Sequence, residues 1–159
     1  MTVPAVFSKK SRYAIVASRF NEEITRSLVK GAQASFQEKR VPKNAVEIVW
    51  VPGAFELPLT VLQLAKSKRY QAIVAVGCIL AGETPQFEYL SNAVYQGLTT
   101  ASLMSGIPVT SGVVTAKSRR HAQERARIKG LNRGGEAAVV ALEMVQVLTS
   151  VRRRGEVHR

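Results

Sequence analysis

The sequence predicts an α/β domain in which helices cover both faces of a four-stranded parallel sheet. Short runs rich in Val, Ile and Ala alternate four times with segments whose apolar residues recur at helical spacing. Such runs are typical of strands that are buried on both faces. Regular alternation of strand and helix favours a parallel sheet between two helical layers.

The first half of the chain contains two predicted strand–helix units. A strand at residues 12–18 precedes a helix over residues 22–39, in which apolar residues recur at every fourth position. A second strand at residues 46–51 ends at a Pro-Gly pair, and a helix then continues to about residue 68.

The third unit begins with a strand at residues 72–76. Thr84 is the predicted N-cap of the next helix and Pro85 its first helical residue, a position at which the missing N–H of proline costs nothing. This helix is predicted to end near residue 104.

The last quarter of the chain is predicted as a strand at residues 109–115 and two helices, at residues 119–127 and 136–151. The glycine-rich residues 130–135 between these helices are predicted to interrupt the helical structure.

Length and composition indicate one globular domain over residues 1–159. Residues 1–11 form a predicted arm that adds to the sheet edge of a neighbouring chain, and residues 152–159 form a predicted frayed, basic tail. No apolar run approaches the ~20 residues of a membrane span, and the amino end lacks the apolar core of a signal peptide. We therefore expect a cytoplasmic protein without a membrane partner.

Charge and cysteine content limit the chemistry further. Cys78 is the only cysteine, which excludes an internal disulfide and a thiolate metal site. The formal net charge is +12, and from Lys117 onward eleven Lys or Arg residues face four Glu. This excess indicates anionic partners, either phosphate ligands or nucleic acid. Nucleic acid is the weaker alternative, because no aromatic residues lie within the basic tail for base stacking.

Three unusual turns follow the first three predicted strands. They are Arg19-Phe20-Asn21, residues 51–56, and Gly82-Glu83-Thr84. The carboxyl ends of parallel strands share one edge of a sheet, so these turns are predicted to converge on a ligand crevice. The third turn precedes a helix, whose amino end attracts anions. The sequence thus favours a planar heterocycle held beside a phosphate, whereas the alternative is a set of ordinary strand–helix turns.

The same turns resemble those of the lumazine synthase family of riboflavin biosynthesis. Ser18-Arg19-Phe20-Asn21, residues 51–58 and Gly82-Glu83-Thr84-Pro85 match that family in order, and the similarity runs from about residue 12 to residue 149. The resemblance implies a flavodoxin-like three-layer sandwich, assembled as pentamers with each active site between two neighbouring subunits. It also implies condensation of 5-amino-6-(ribitylamino)pyrimidinedione with 3,4-dihydroxy-2-butanone 4-phosphate, without cofactor or metal.

The resemblance also implies roles for individual residues. Phe20 would stack on the pyrimidine, with Asn21 beside the ribityl chain. The ribityl group and ring would contact Ala54, Phe55 and Glu56, and the substrates would further contact Cys78, Ile79 and Leu80. Gly82, Glu83 and Thr84 would hold the phosphate. The neighbouring subunit would supply Arg125 to the phosphate, Arg133 near the pyrimidine, and Ser111 in the wall, while Glu136 matches an acidic position that supports a catalytic histidine.

That histidine is replaced here by Gln86, which can donate a hydrogen bond but cannot titrate. Ala81 stands where many members have arginine, Ser111 where many have phenylalanine, and Arg127 where glycine is usual. Two interpretations stay open: an active enzyme with altered proton handling, and an impaired paralogue or variant that binds a flavin-like ligand or forms a shell. The short linker at residues 130–135 favours a 60-subunit icosahedral shell of twelve pentamers, and riboflavin synthase is a candidate partner.

Overall fold

A computed structural model describes residues 12–156 as one α/β domain. The predicted arm at residues 1–11 and the last three residues of the predicted tail lie outside the described residues. The helices and strands, in chain order, are β1 Tyr13–Ser18, α1 Glu22–Glu38, β2 Val46–Val51, α2 Leu57–Lys66, β3 Ala72–Leu80, α3 Gln86–Ser105, β4 Val109–Ala116, α4 Arg119–Ala126 and α5 Arg133–Glu156.

The four strands form one parallel sheet in the order β2-β1-β3-β4. Tyr13 pairs with Val46 on one side and with Ala72 on the other, so all strands point the same way and their carboxyl ends share one edge. This arrangement confirms the predicted α/β, flavodoxin-like architecture.

Two apolar cores lie on opposite faces of the sheet because alternate strand residues point to opposite sides. One core joins Ile15 and Val74 of the strands to α1, α4 and α5, and it includes Leu28 and Phe36. The other joins alternate residues such as Val16 to α2 and α3. The domain is therefore a three-layer sandwich, and the turns at the carboxyl edge are the parts left uncovered.

The structure corrects the predicted boundaries of the third unit. β3 continues to Leu80, rather than ending at residue 76, because Gly77 to Leu80 keep pairing with β4. The N-cap of α3 is Pro85 instead of Thr84, and no side chain caps this helix.

α5 is longer than predicted at both ends. Arg133, Gly134 and Gly135 belong to its first turn, although the glycines were predicted to lie in a break. Arg152 and the following residues to 156 continue the helix, so they are not a frayed tail.

By length and composition alone, the part of α5 from Arg133 to Gly155 could cross a membrane. The sequence had predicted no such helix, because it contains no continuous apolar run of the required length. Here α5 packs on β4 and on α1, as the outer helix of a parallel-sheet domain does. This packing buries 33% of the apolar window of α5 within the domain.

Candidate active site

A cleft of about 600 Å³ opens at the carboxyl edge of the sheet, on the side covered by α2 and α3. It is formed by the ends of β1, β2 and β3 and by the first turn of α3. Its lining residues are Phe20, Asn21, Pro52, Gly53, Ala54, Phe55, Glu56, Cys78, Ile79, Leu80, Gly82, Thr84, Gln86, Phe87 and Leu90. The three turns singled out in the sequence therefore do converge.

Backbone hydrogen bonds join the turn after β1 to the turn after β2. Arg19 N–H donates to the Val51 carbonyl at 2.8 Å, and Phe20 N–H donates to the Pro52 carbonyl at 3.1 Å. These bonds fix the position of Phe20 while its side chain stays 73% exposed. The ring is thus held at the mouth of the cleft without belonging to the core.

Asn21 connects the β1 turn to β3. Its backbone is left-handed, with φ of 58°, a conformation that asparagine adopts more readily than most residues. From there its side-chain Nδ2 donates to the Cys78 carbonyl at 3.0 Å. Asn21 therefore shapes the cleft as well as lining it.

The turn after β2 forms a short 3-10 helix over Ala54–Glu56. Ala54 is buried and anchors this turn, whereas the ring of Phe55 is 65% exposed. Among the described residues that line the cleft, Glu56 carries the one carboxyl group. The turn thus presents an apolar ring and an acidic group side by side.

The third turn leads into α3. Gly82 has open space where a side chain would be, so the loop backbone is accessible. Gln86 begins α3, and the absence of a side-chain cap leaves the amino end of the helix available to an anion. Glu83 lies in the same loop, but its side chain is not among those lining the cleft.

The floor of the cleft is formed by Cys78, Ile79 and Leu80 of β3. Burial raises the pKa of the Cys78 thiol to about 11, although the nearby Arg119 guanidinium acts in the opposite direction. The thiol is therefore protonated at neutral pH and is a poor nucleophile, since the thiolate is the reactive form.

Besides Glu83, four predicted site residues do not line this cleft in the same chain. Ser111 is exposed on β4, where its hydroxyl accepts a hydrogen bond from Val113 N–H. Arg125 Nη1 donates to the Thr115 carbonyl at 2.9 Å. Arg133 and Glu136 form an ion pair at 2.7 Å. Since the resemblance assigns Ser111, Arg125 and Arg133 to a neighbouring subunit, their place in a complete site stays a prediction.

The apolar lining contributed by α3 was missed in the sequence. Phe87 and Leu90 line the cleft, although their helical spacing had been used only to define the helix. Residues on the inward face of a first helical turn lie directly beside the strand ends, and this placement could have identified them.

Within the described residues, no three His, Cys, Asp or Glu side chains are grouped as a metal site would require. The site's chemistry is instead that of exposed aromatic rings, one carboxyl group, amide groups and an uncapped helix end. Such groups bind a planar polar ligand and an adjacent anion.

Residues 10–149 match the family model of 6,7-dimethyl-8-ribityllumazine synthase. The chain belongs to this family. The match spans all four strands and most of α5, so it covers the whole cleft. Membership of the lumazine synthase family indicates an enzyme of the transferase type that associates into oligomers. The detailed reaction depends on the geometry of the site, and the size of the oligomer depends on the contacts between subunits.

Proposed function

We propose that the chain condenses 5-amino-6-(ribitylamino)pyrimidinedione with 3,4-dihydroxy-2-butanone 4-phosphate to give 6,7-dimethyl-8-ribityllumazine. The observation that carries this proposal is the convergence of Phe20, Glu56 and the amino end of α3 on one cleft. This combination suits a planar ring with a polyhydroxy chain on one side and a phosphate on the other.

The reaction balances without an oxidant or a reductant. The pyrimidine amine attacks the ketone of the butanone phosphate, and loss of one water gives a Schiff base. Elimination breaks the bond between carbon and the phosphate oxygen, so inorganic phosphate leaves. This elimination takes a proton from the neighbouring hydroxyl-bearing carbon and leaves an enol, which tautomerises to a new carbonyl. Ring closure by the ribitylamino nitrogen on that carbonyl expels a second water and completes the lumazine.

The cleft of one chain would bind both substrates. Phe20 stacks on the pyrimidine, and Glu56 accepts hydrogen bonds from ribityl hydroxyls. The backbone of Gly82 and the hydroxyl of Thr84 hold the phosphate beside α3. Holding amine and ketone together supplies a large part of the acceleration in a condensation of this kind.

A neighbouring subunit would complete the site with cations. Arg125 pairs with the phosphate, Arg133 approaches the pyrimidine, and Ser111 forms part of the wall. In this chain Glu136 is positioned to orient Arg133, because the two side chains already form an ion pair. We therefore propose that the protein forms a pentamer, or a shell of twelve pentamers, in which the amino-terminal arm adds to a neighbour's sheet. We also propose riboflavin synthase as a partner and a cytoplasmic location.

Gln86 lines the cleft, and the resemblance assigns the family's histidine to this position. An amide can hold a water or a substrate oxygen by hydrogen bonds, but it cannot take up and release a proton. Proton transfer in this chain must then use Glu56, the substrate phosphate or water.

The test is a steady-state assay with both substrates that follows lumazine absorbance for the parent protein, Gln86→His and Gln86→Ala. We expect the parent to be active, and Gln86→His to raise kcat by about 10²-fold or more where proton transfer limits the rate. Gln86→Ala is the matched control, because it also lacks a titratable group, and its kcat should stay within about tenfold of the parent's.

Absence of lumazine formation by all three proteins would overturn the proposal. The remaining interpretation would be the impaired paralogue that binds a flavin-like ligand or forms a shell. Calorimetric titration with riboflavin would then show whether the cleft still binds such a ring.

A further inference from the structure

The surface of α4 and the segment that follows it carries a concentrated positive charge. Residues 117–129 contain six Lys or Arg residues against one acidic residue, Glu124. All six are exposed. Arg125 is assigned above to a neighbouring subunit's active site, and we call the other five the basic surface: Lys117, Arg119, Arg120, Arg127 and Lys129.

Most of this charge is not neutralised by carboxylates of the same chain. Within residues 12–156, only Arg119 of the basic surface forms an ion pair, 3.6 Å from Glu23 of α1. The basic surface therefore retains about four cationic groups for an external anion.

The backbone beneath these side chains is firmly positioned. Ala122 and Ala126 are fully buried, so α4 is packed against the domain through small residues. After α4, the N–H groups of Gly130 and Asn132 donate to the Arg127 carbonyl at 2.9 and 3.1 Å. The cations thus lie on a fixed scaffold that does not have to fold upon binding.

We propose that the basic surface binds the phosphate backbone of nucleic acid, independently of the reaction proposed above. A single phosphate monoester carries a charge of about −1.5 to −2 and would pair with only part of this surface. An extended polyanion can contact all of it, and arginine is well suited to phosphate because its planar donors bind two oxygens at once.

The chemistry of α4 favours nucleic acid over an anionic membrane. A helix that lies in a membrane surface exposes a large apolar face next to its basic face. In α4, the apolar residues are the two buried alanines, and the exposed positions from Arg119 to Arg125 are polar or charged. Ile128 and Leu131, which follow α4, are exposed but lie in a non-helical segment, so they do not extend an apolar helical face. The helix therefore has charge to offer a polyanion but no apolar face to insert.

The test uses the full-length protein and a labelled, mixed-sequence single-stranded RNA, with fluorescence anisotropy measured at rising potassium chloride. The variant Arg120→Gln/Arg127→Gln/Lys129→Gln leaves the proposed active-site residues in place. Its matched control, Lys30→Gln/Lys39→Gln/Lys66→Gln, removes the same net charge from exposed positions on α1, at its C-cap and on α2. Circular dichroism and light scattering test whether all three proteins have the same fold and assembly.

We expect the parent to bind the RNA with an affinity that falls as salt rises, and the α4 variant to bind about tenfold more weakly. Each lost phosphate contact should lower the slope of log affinity against log salt by about 0.7, so the variant's slope falls by about 2. The control should keep the parent's slope and its affinity within about threefold.

The proposal would be overturned by equal weakening in both variants, by no RNA binding by the parent, or by stronger binding to vesicles rich in phosphatidylserine than to RNA. Displacement of the RNA by millimolar inorganic phosphate at constant ionic strength would also overturn it, since a single-phosphate site would then explain the binding.

Discussion

Phe36 and Phe20 belong to two regions that treat the same side chain in opposite ways. Phe36 packs on the α1 and α5 side of the sheet with 1% of its surface exposed, and its ring lies 5.3 Å from that of Tyr13. Phe20 stands at the mouth of the cleft with 73% exposed. We call the face of the sheet that is covered by α1, α4 and α5 the closed face. Its buried apolar residues stabilise the fold, whereas the exposed apolar rings of the cleft are available to a ligand.

Loss of each ring should separate stability from binding. Phe36→Ala removes a buried ring and should lower the free energy of unfolding by about 3–5 kcal/mol. Phe20→Ala should change it by about 0.5 kcal/mol or less, because the ring is exposed. If Phe20 stacks on the pyrimidine as proposed, its loss should raise the KM for that substrate about tenfold.

Urea denaturation and steady-state kinetics on the two variants measure both quantities. Equal destabilisation would show that Phe20 contributes to the core. An unchanged KM for Phe20→Ala would show that the substrate ring does not stack there.

Cys78 belongs to the core of the closed face and also lines the cleft. It therefore lies at the boundary between the two regions. Its raised pKa of about 11 means that less thiolate is present at any given pH than for a free cysteine. Alkylation by iodoacetamide at pH 8 should therefore be at least ~100-fold slower than for a free thiol, and the rate should keep rising up to about pH 11.

Mass spectrometry of the alkylated protein follows this reaction, with denatured protein as the control of ordinary reactivity. A plateau near pH 8 to 9 in the native protein would contradict the assignment. Protection of Cys78 by the reaction product would support its position on the cleft floor.

The order of strands and helices could be predicted from the sequence because periodicity and buried strands are local signals. The boundaries that failed depend on contacts between distant segments. β3 reaches Leu80 because β4 pairs with it along its full length. Phe87 was assigned only to a helix, since its position beside the strand ends follows from the fold.

The candidate site was predictable to the extent that its turns are local. The turns at Phe20, at residues 51–56 and at Gly82 were found from unusual residues after strands, and the structure places them in one cleft. The positions of Arg125 and Arg133 relative to a ligand could not be derived in the same way, because a site completed by a neighbouring subunit depends on a second chain.

Gly134 shows why the predicted start of α5 was wrong. It also allows a test of how tightly α1 and α5 pack on the closed face. A Cβ atom at Gly134 would lie 2.0 Å from the Leu28 carbonyl oxygen of α1, so glycine is required by close helix packing instead of by a break. Gly134→Ala must separate α1 from α5 and should lower the free energy of unfolding by about 1–3 kcal/mol.

The matched control lies on the same helix. Gly155 has open space around the position of a Cβ atom, so Gly155→Ala should stabilise the protein by up to about 1 kcal/mol through helix propensity alone. Urea denaturation of both variants compares packing with propensity on one helix. If Gly134→Ala were as stable as the parent, α1 and α5 would be able to move apart at no cost, and the closed face would be no more constrained than the cleft.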